Sequence, residues 1–235
     1  MADRFKGKVV LVAGGTGGLG RAVSLSFLKE GASVHVTFRV EEEIAALKKL
    51  AGASVAALSG HRADVTSEQE VAQLLGAIGP VDVLVNTVGA YAGGSPLWQT
   101  PPDVFEKMIS LNLRSGYVLA RAVVPAMLQQ RRGAIVNISS RAAVDHAAGA
   151  SAYAASKAAA LAMIDSLAAD LKGSGVRVNT VLPSIIDTEA NRAAMADADF
   201  AAWPKPGEIA DVILFLCSDE ARLIHGAAVP VYGAS

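Results

Sequence analysis

Val9-Val-Leu-Val-Ala-Gly14-Gly15-Thr16-Gly17-Gly18-Leu19-Gly20-Arg21 decides the reading of this chain. A short β-branched run enters a glycine-rich turn, and a helical pattern follows as far as Glu30-Gly31. Glycines here permit a tight reversal and a close backbone approach to a pyrophosphate, which the first N–H groups of the helix then hold. Strand, glycine turn and helix in that order make Gly14, Thr16, Gly17, Gly18, Leu19 and Gly20 candidate dinucleotide contacts.

Working outward, short β-branched runs recur at 9–12, 34–37, 81–85, 134–138 and 176–181. Helical patterns lie between and after them at about 18–30, 41–50, 67–77, 102–130, 152–171 and 207–217. Gly173-Ser-Gly175 marks a turn. This βα alternation predicts an α/β fold with a doubly wound, mostly parallel sheet and helices on both faces. At 235 residues and 52% hydrophobic content, the chain reads as one domain spanning 1–235.

A net charge of −1 and a pI near 6.4 leave no electrostatic footprint for nucleic acid or an anionic membrane. The longest uncharged stretch, 83–102, is rich in Asn, Gly, Gln and Pro, so it does not read as a membrane span. The charged N-terminal residues fit neither a signal nor a transit peptide, and the expected location is the cytoplasm. Cys217, the only cysteine, excludes an internal disulfide and a thiolate-rich metal site; it is expected to pack in the core. His61 and His225 have no partners at metal-ligand spacing, so no metal is expected.

Tyr153-Ala-Ala-Ser-Lys157 is the second informative stretch. Positions i and i+4 of a helix share a face, which sets the Lys157 ammonium beside the Tyr153 phenol. A unit charge about 4 Å away at an effective dielectric of about 20 is worth roughly 4 kcal/mol, enough to lower a phenol by up to about three pKa units. Alone the pair is weak, since chance supplies Tyr-x-x-x-Lys in roughly one such chain in seven. Ser139 and Ser140 lie just upstream and point to opposite faces of a strand, so only one can face the reacting centre. Val36-Thr37-Phe38-Arg39 ends the second run without an acid to bind a ribose. Arg39 suits a 2′-phosphate, which favours NADP(H) while leaving NAD(H) open.

Together these residues carry a family resemblance. Gly14-x-x-x-Gly18-x-Gly20, Asp64-Val65, Asn86-Thr-Val-Gly89, Asn112, Ser140, Tyr153-x-x-x-Lys157, Asn179 and Pro183-Ser-x-x-x-Thr188 follow the order of a short-chain dehydrogenase/reductase. The resemblance covers nearly the whole chain and implies a seven-stranded Rossmann-like fold. It implies Tyr153 as proton donor/acceptor, Lys157 as the group that lowers its pKa and holds the nicotinamide ribose, and Ser140 as the polariser of the substrate carbonyl. It implies that Asn112 positions a water in the proton relay. It places Asp64 and Val65 at the adenine, Asn86 and Gly89 beside the adenine ribose, Ile186 and Thr188 at the carboxamide, and Pro183 among the cofactor-binding residues. Asp64 has a second reading, as a cap for the helix after Thr66-Ser67. Ala13, Thr87-Val88, Ser184 and Val231-Tyr-Gly-Ala234 depart from the family pattern, and Gly17 stands where many NADPH-dependent members carry a basic residue.

The segment 187–206 after the sixth strand is the expected substrate lid. Residues 187–203 and 89–94 locally resemble quinonoid dihydropteridine reductase, which makes pterin reduction an alternative to reduction or oxidation of a small carbonyl or alcohol. A noncatalytic dinucleotide sensor is a third reading. Tyr91, Trp98, Phe200 and Trp203 are candidates either for an apolar substrate pocket or for local packing, and His146 is expected to be solvated. The Ala-rich Tyr153 helix, together with the family's habit of assembling through it, implies a homodimer or homotetramer.

Overall fold

The inner strands form where β-branched residues recur, and they are buried because helices cover both faces of the sheet. The computed structural model describes residues 3–234. Seven strands run β1 (Val9–Ala13), β2 (Ser33–Phe38), β3 (Leu58–Arg62), β4 (Val83–Asn86), β5 (Gly133–Ile138), β6 (Val176–Pro183) and β7 (Ala228–Val231). Their order in the sheet is β3-β2-β1-β4-β5-β6-β7. Every neighbouring pair is parallel, where the sequence had suggested only a mostly parallel sheet.

The helices are α1 (Gly18–Lys29), α2 (Glu41–Ala51), α3 (Glu68–Ile78), α4 (Pro102–Ile109), α5 (Ser115–Gln130), α6 (Ser151–Asp170), α7 (Glu189–Ala194) and α8 (Pro206–Cys217). One face of the sheet carries α1, α2 and α8 over a core containing Val12, Val23, Phe27, Val36, Leu47 and Ile213. The other face carries α3, α5 and α6 over Leu11, Leu84, Leu119, Met127, Ile135 and Ile164. Val10, Leu11 and Val12 therefore alternate between two dry layers and are each 0% exposed.

Two expectations change. The helix anticipated over 102–130 is interrupted: residues Ser110–Arg114 form a π-helical turn between α4 and α5. Helical periodicity does not reveal such a turn, and these turns recur at functional sites. The edge strands β3 and β7 have little β-branched signature to read. β3 is Leu-Ser-Gly-His-Arg, and β7 carries Pro230, which an edge strand tolerates because one side of its ladder is unpaired.

Strand order reverses between β1 and β4, and the register Ala13↔Asn86↔Asn137 brings their carboxyl ends to one level. Ligands bind at this switch point in open α/β sheets.

Candidate active site

The glycine turn is shaped by what a side chain would strike. A Cβ on Gly20 would lie 2.1 Å from the Gly14 carbonyl oxygen, and one on Gly18 would lie 2.8 Å from Thr188 Cγ2. Gly14 has φ +72°, the left-handed region that glycine enters without strain. Its N–H donates to Thr37 Oγ1 at 2.9 Å, which ties the turn to the end of β2. Thr87 donates to the carbonyls of Ala13 at 2.7 Å and Gly14 at 3.1 Å, so this departure from the family pattern clamps β4 to the turn.

α1 starts at this turn with no side-chain cap on its first N–H groups and no acid in its first turn. Its positive end is thereby open to an anion. Beside it lies a cavity of about 330 Å³, whose walls include Gly14, Thr16, Gly17, Arg39, Val65 and Gly89. Thr37, Phe38, Val40, Glu43, Ala63, Thr87, Val88 and Leu111 complete it. A glycine cradle, an uncapped helix end and a hollow lined by both polar and apolar residues fit a dinucleotide's pyrophosphate and adenosine.

Arg39 is not a free cation: its Nη2 lies 2.9 Å from Asp64 Oδ2. Asp64 also accepts from the Thr66 N–H at 2.9 Å and the Thr66 hydroxyl at 2.7 Å. These bonds and Arg39 hold its carboxyl below the usual range against the opposing pull of burial. Ser67, not Asp64, caps α3 by accepting from Glu70 N. Asn86 is 3% exposed and does not line the cavity. It donates to Asn137 Oδ1 at 3.0 Å and accepts from Val88 N at 3.2 Å, so it shapes the wall through Val88. Glu43 was missed by the sequence reading, which looked for an acid only at the end of β2. Its carboxylate accepts from Thr16 Oγ1 at 2.7 Å, on the glycine turn itself. The signal was present as three glutamates opening α2.

The second half of the site is built on α6. Tyr153 is half-buried, and Ser140 is the hydroxyl side chain beside its phenol. Burial pushes the phenol above its ordinary value; Ser140 pulls it back, and neighbouring Tyr91 pushes it up further. Lys157 is 5% exposed and donates to the Ile138 carbonyl at 3.1 Å. Burial lowers its ammonium from 10.5 to about 8. In this protein, then, the phenol stands raised rather than lowered: burial is the largest influence, and the Lys157 ammonium is directed at the Ile138 carbonyl. The strand alternation resolves as expected: Ser139 turns inward and donates to the Lys157 carbonyl at 3.0 Å, leaving Ser140 toward Tyr153.

Asn112 sits in the π-helical turn at 2% exposure. It donates to the Ala90 carbonyl at 3.0 Å and Ser156 Oγ at 2.9 Å, and accepts from Ala90 N at 2.9 Å. Ser156 donates to the Tyr153 carbonyl at 2.7 Å, so a polar chain joins the loop after β4 to the helix turn bearing Tyr153. A Cβ on Gly89 would lie 2.9 Å from Asn112 Oδ1 and 3.1 Å from Lys157 Nζ; the two halves of the site meet there.

Tyr91 packs edge-on against Tyr153 at 5.0 Å between centroids and is 70% exposed. Trp98 is 81% exposed, whereas Trp203 is 6% exposed and packs on Phe200. Thr188 caps α7 by accepting from Asn191 N, and Asn191 donates to the Ile186 carbonyl at 2.8 Å. Pro183 ends β6 on the same strand edge. His146 is exposed, and His225 holds β6 to α6 between Val178 N and the Ala168 carbonyl.

The fold and site define a nucleotide-binding α/β oxidoreductase scaffold with a Tyr/Lys/Ser centre. The short chain dehydrogenase family model matches residues 8–199. A 3-oxoacyl-[acyl-carrier-protein] reductase of Thermotoga maritima is 32% identical over 242 residues, covering 98% of both chains. The solved structure of ElxO with NADP bound superposes with a TM-score of 0.89 at 28% identity, covering 96% of this chain and 97% of that one. A 3-oxoacyl-[acyl-carrier protein] reductase from Brucella melitensis with bound NAD also gives 0.89, at 29% identity over 99% of this chain and 92% of its own. The chain belongs to the short-chain dehydrogenase/reductase family. This likeness extends along the whole chain, and the local resemblance to dihydropteridine reductase does not compete with it.

Proposed function

We propose that this protein transfers hydride between NAD(P)(H) and a small carbonyl or alcohol substrate. The observation that carries the reading is the half-buried Tyr153 phenol with Ser140 beside it and Lys157 buried one helical turn on, at the same carboxyl end of the sheet as the glycine turn. The bound nicotinamide supplies or accepts the hydride. Tyr153 gives its proton to the carbonyl oxygen during reduction and recovers one during oxidation. Ser140 holds that oxygen and stabilises the charge that develops on it. Lys157 supplies positive charge behind the phenol and a donor for the nicotinamide ribose. Asn112 fixes the Ala90 loop against α6 and is the candidate anchor for a water in the proton relay. Gly14, Thr16, Gly17, Gly18, Leu19 and Gly20 hold the pyrophosphate. Val65 and Gly89 border the adenosine, Asp64 acts there through Arg39 and Asn86 through Val88, Ile186 and Thr188 border the carboxamide, and Pro183 is a further cofactor contact.

Residues 187–206 form the lid of one domain, with Tyr91 presenting an aromatic surface beside Tyr153. Similarity to 3-oxoacyl reductases makes a 3-keto thioester the first substrate to try. No helix among the described residues is long and apolar enough to cross a membrane, and we place the protein in the cytoplasm. Ala155, Ala162 and Ala169 recur every seventh residue on the exposed face of α6, where a second copy can approach closely to make a dimer or tetramer.

The test is Tyr153→Phe. NAD(P)H binding should persist while turnover falls by roughly 10²–10⁴-fold. Undiminished turnover of a 3-keto thioester would sink the assignment. NAD(P)H consumption only with quinonoid dihydropterin would instead revive pterin reduction, and cofactor binding with no turnover across a carbonyl panel would leave a sensor.

A further inference from the structure

We propose that Glu43 sets the dinucleotide preference of the adenosine site by opposing Arg39 and weakening the hold on a 2′-phosphate. The inference rests on the dinucleotide-binding reading above and names the residue within that site that discriminates.

Glu43 and Arg39 line the same cavity. α2 presents Ile44 and Leu47 to the core, at 4% and 0% exposure, which fixes the rotation of the helix. With that face anchored, Glu43 turns toward the glycine turn, where Thr16 Oγ1 donates to its carboxylate at 2.7 Å. Thr16 is itself 8% exposed, so one end of the bond is rigidly placed. On the other side, Arg39 is already paired with Asp64 at 2.9 Å. A phosphate arriving here meets one guanidinium already in use and the Glu43 carboxylate lining the same cavity, with Asp64 held on Arg39.

The two cofactors differ in what they offer these groups. The ribose diol of NAD(H) carries O–H donors, and Glu43 can accept from them. The 2′-phosphate of NADP(H) brings acceptor oxygens and negative charge, so it gains from Arg39 and loses against Glu43 and Asp64. Arg39 alone implied NADP(H); Arg39 with Glu43 implies a site that accepts NAD(H) at least as well.

The experiment is calorimetric titration of the wild type, Glu43→Gln and Glu43→Asp with NADPH, NADH, 2′,5′-ADP and 5′-AMP. Glutamine keeps an acceptor for Thr16 and removes only the charge. Glu43→Gln should tighten NADPH and 2′,5′-ADP about tenfold, with NADH and 5′-AMP unchanged or weakened up to about threefold. Glu43→Asp, with its carboxylate drawn back, should fall between. The gain for phosphate-bearing ligands should shrink in ~1 M salt, where the Debye length is about 3 Å. Equal shifts for all four ligands, or none, would overturn the proposal and leave Glu43 as a partner of Thr16 only. A wild type that binds none of the four would overturn the dinucleotide reading itself, and this inference with it.

Discussion

Lys157 Nζ donates to the carbonyl oxygen of Ile138 at 3.1 Å from a side chain that is 5% exposed. Burial lowers the ammonium from 10.5 to about 8, so the folded chain releases this proton more readily than the unfolded one. Stability therefore climbs as pH rises from about 8 to about 10.4, because in that window the unfolded state binds the extra proton. Below about pH 8 the full penalty stands, on the order of 3 kcal/mol. Lys157→Met should remove that penalty and lose one charge-assisted hydrogen bond worth about 2 kcal/mol, for a net gain of about 1 kcal/mol at pH 7. Turnover should collapse at the same time, a trade of stability for activity. Urea unfolding at pH 7 and pH 9.5 checks it: a variant no more stable than wild type at pH 7 contradicts the account.

That relationship also shows what the sequence could and could not reveal. The i, i+4 spacing located Tyr153 and Lys157 on one helix face, and alternation along a strand separated Ser139 from Ser140. Neither pattern says how much water surrounds a group, which is why the direction of the Tyr153 shift was misjudged. β1, β2, β4, β5 and β6 were legible because buried parallel strands must be β-branched. β3 and β7 are edge strands, half in solvent, and Leu-Ser-Gly-His-Arg needs no such composition. Glu43 escaped because it reaches the cavity from the following helix, and a run of glutamates at a helix start is ordinarily explained by the dipole. Thr87 was recorded as a departure, yet its hydroxyl bonds both carbonyls at the head of the glycine turn.

The Tyr153 phenol is held by opposing neighbours, and two variants should move it in opposite directions. Tyr91 raises it and Ser140 lowers it, after burial has raised it most. Tyr91→Phe should shift the ionisation that governs kcat/KM toward acid, and Ser140→Ala should shift it toward alkali, with Ser140→Ala also losing rate. The measurement is the pH profile of kcat/KM in the alcohol-oxidation direction. Shifts of the same sign in both variants would refute the arrangement.

At the edge of the sheet, His35 and His61 bridge β2 and β3, with ring nitrogens 3.0 Å apart and rings stacked at 5.2 Å. Burial, and for His35 also the charge of His61, lowers both below the ordinary 6.5. The unfolded chain takes up protons near that value while the native pair resists them. Native stability from this pair is thus complete above about pH 6.5 and declines as pH falls below it. His61→Asn should flatten that decline. Urea midpoints at pH 7.5 and 5.5 decide the point, since an equal acid loss in both proteins would exclude the pair as its source.

Glycines of the turn are not equivalent, and their order of sensitivity follows from distance. A Cβ on Gly20 meets the Gly14 carbonyl oxygen at 2.1 Å and Thr87 Oγ1 at 2.8 Å, both part of the junction between β1 and β4. Neither neighbour can yield without breaking the bonds from Thr87 to Ala13 and Gly14. A Cβ on Gly17 meets only the Gly14 oxygen, at an ordinary 3.5 Å, and Gly17 has φ −68°, which alanine adopts freely. Gly20→Ala should cost about 3 kcal/mol through overpacking, whereas Gly17→Ala should cost less than about 1 kcal/mol. Thermal or urea unfolding without cofactor measures the two directly. Comparable losses would exclude the collision at Gly20 as the source of the difference, since alanine at either site restricts the unfolded chain alike.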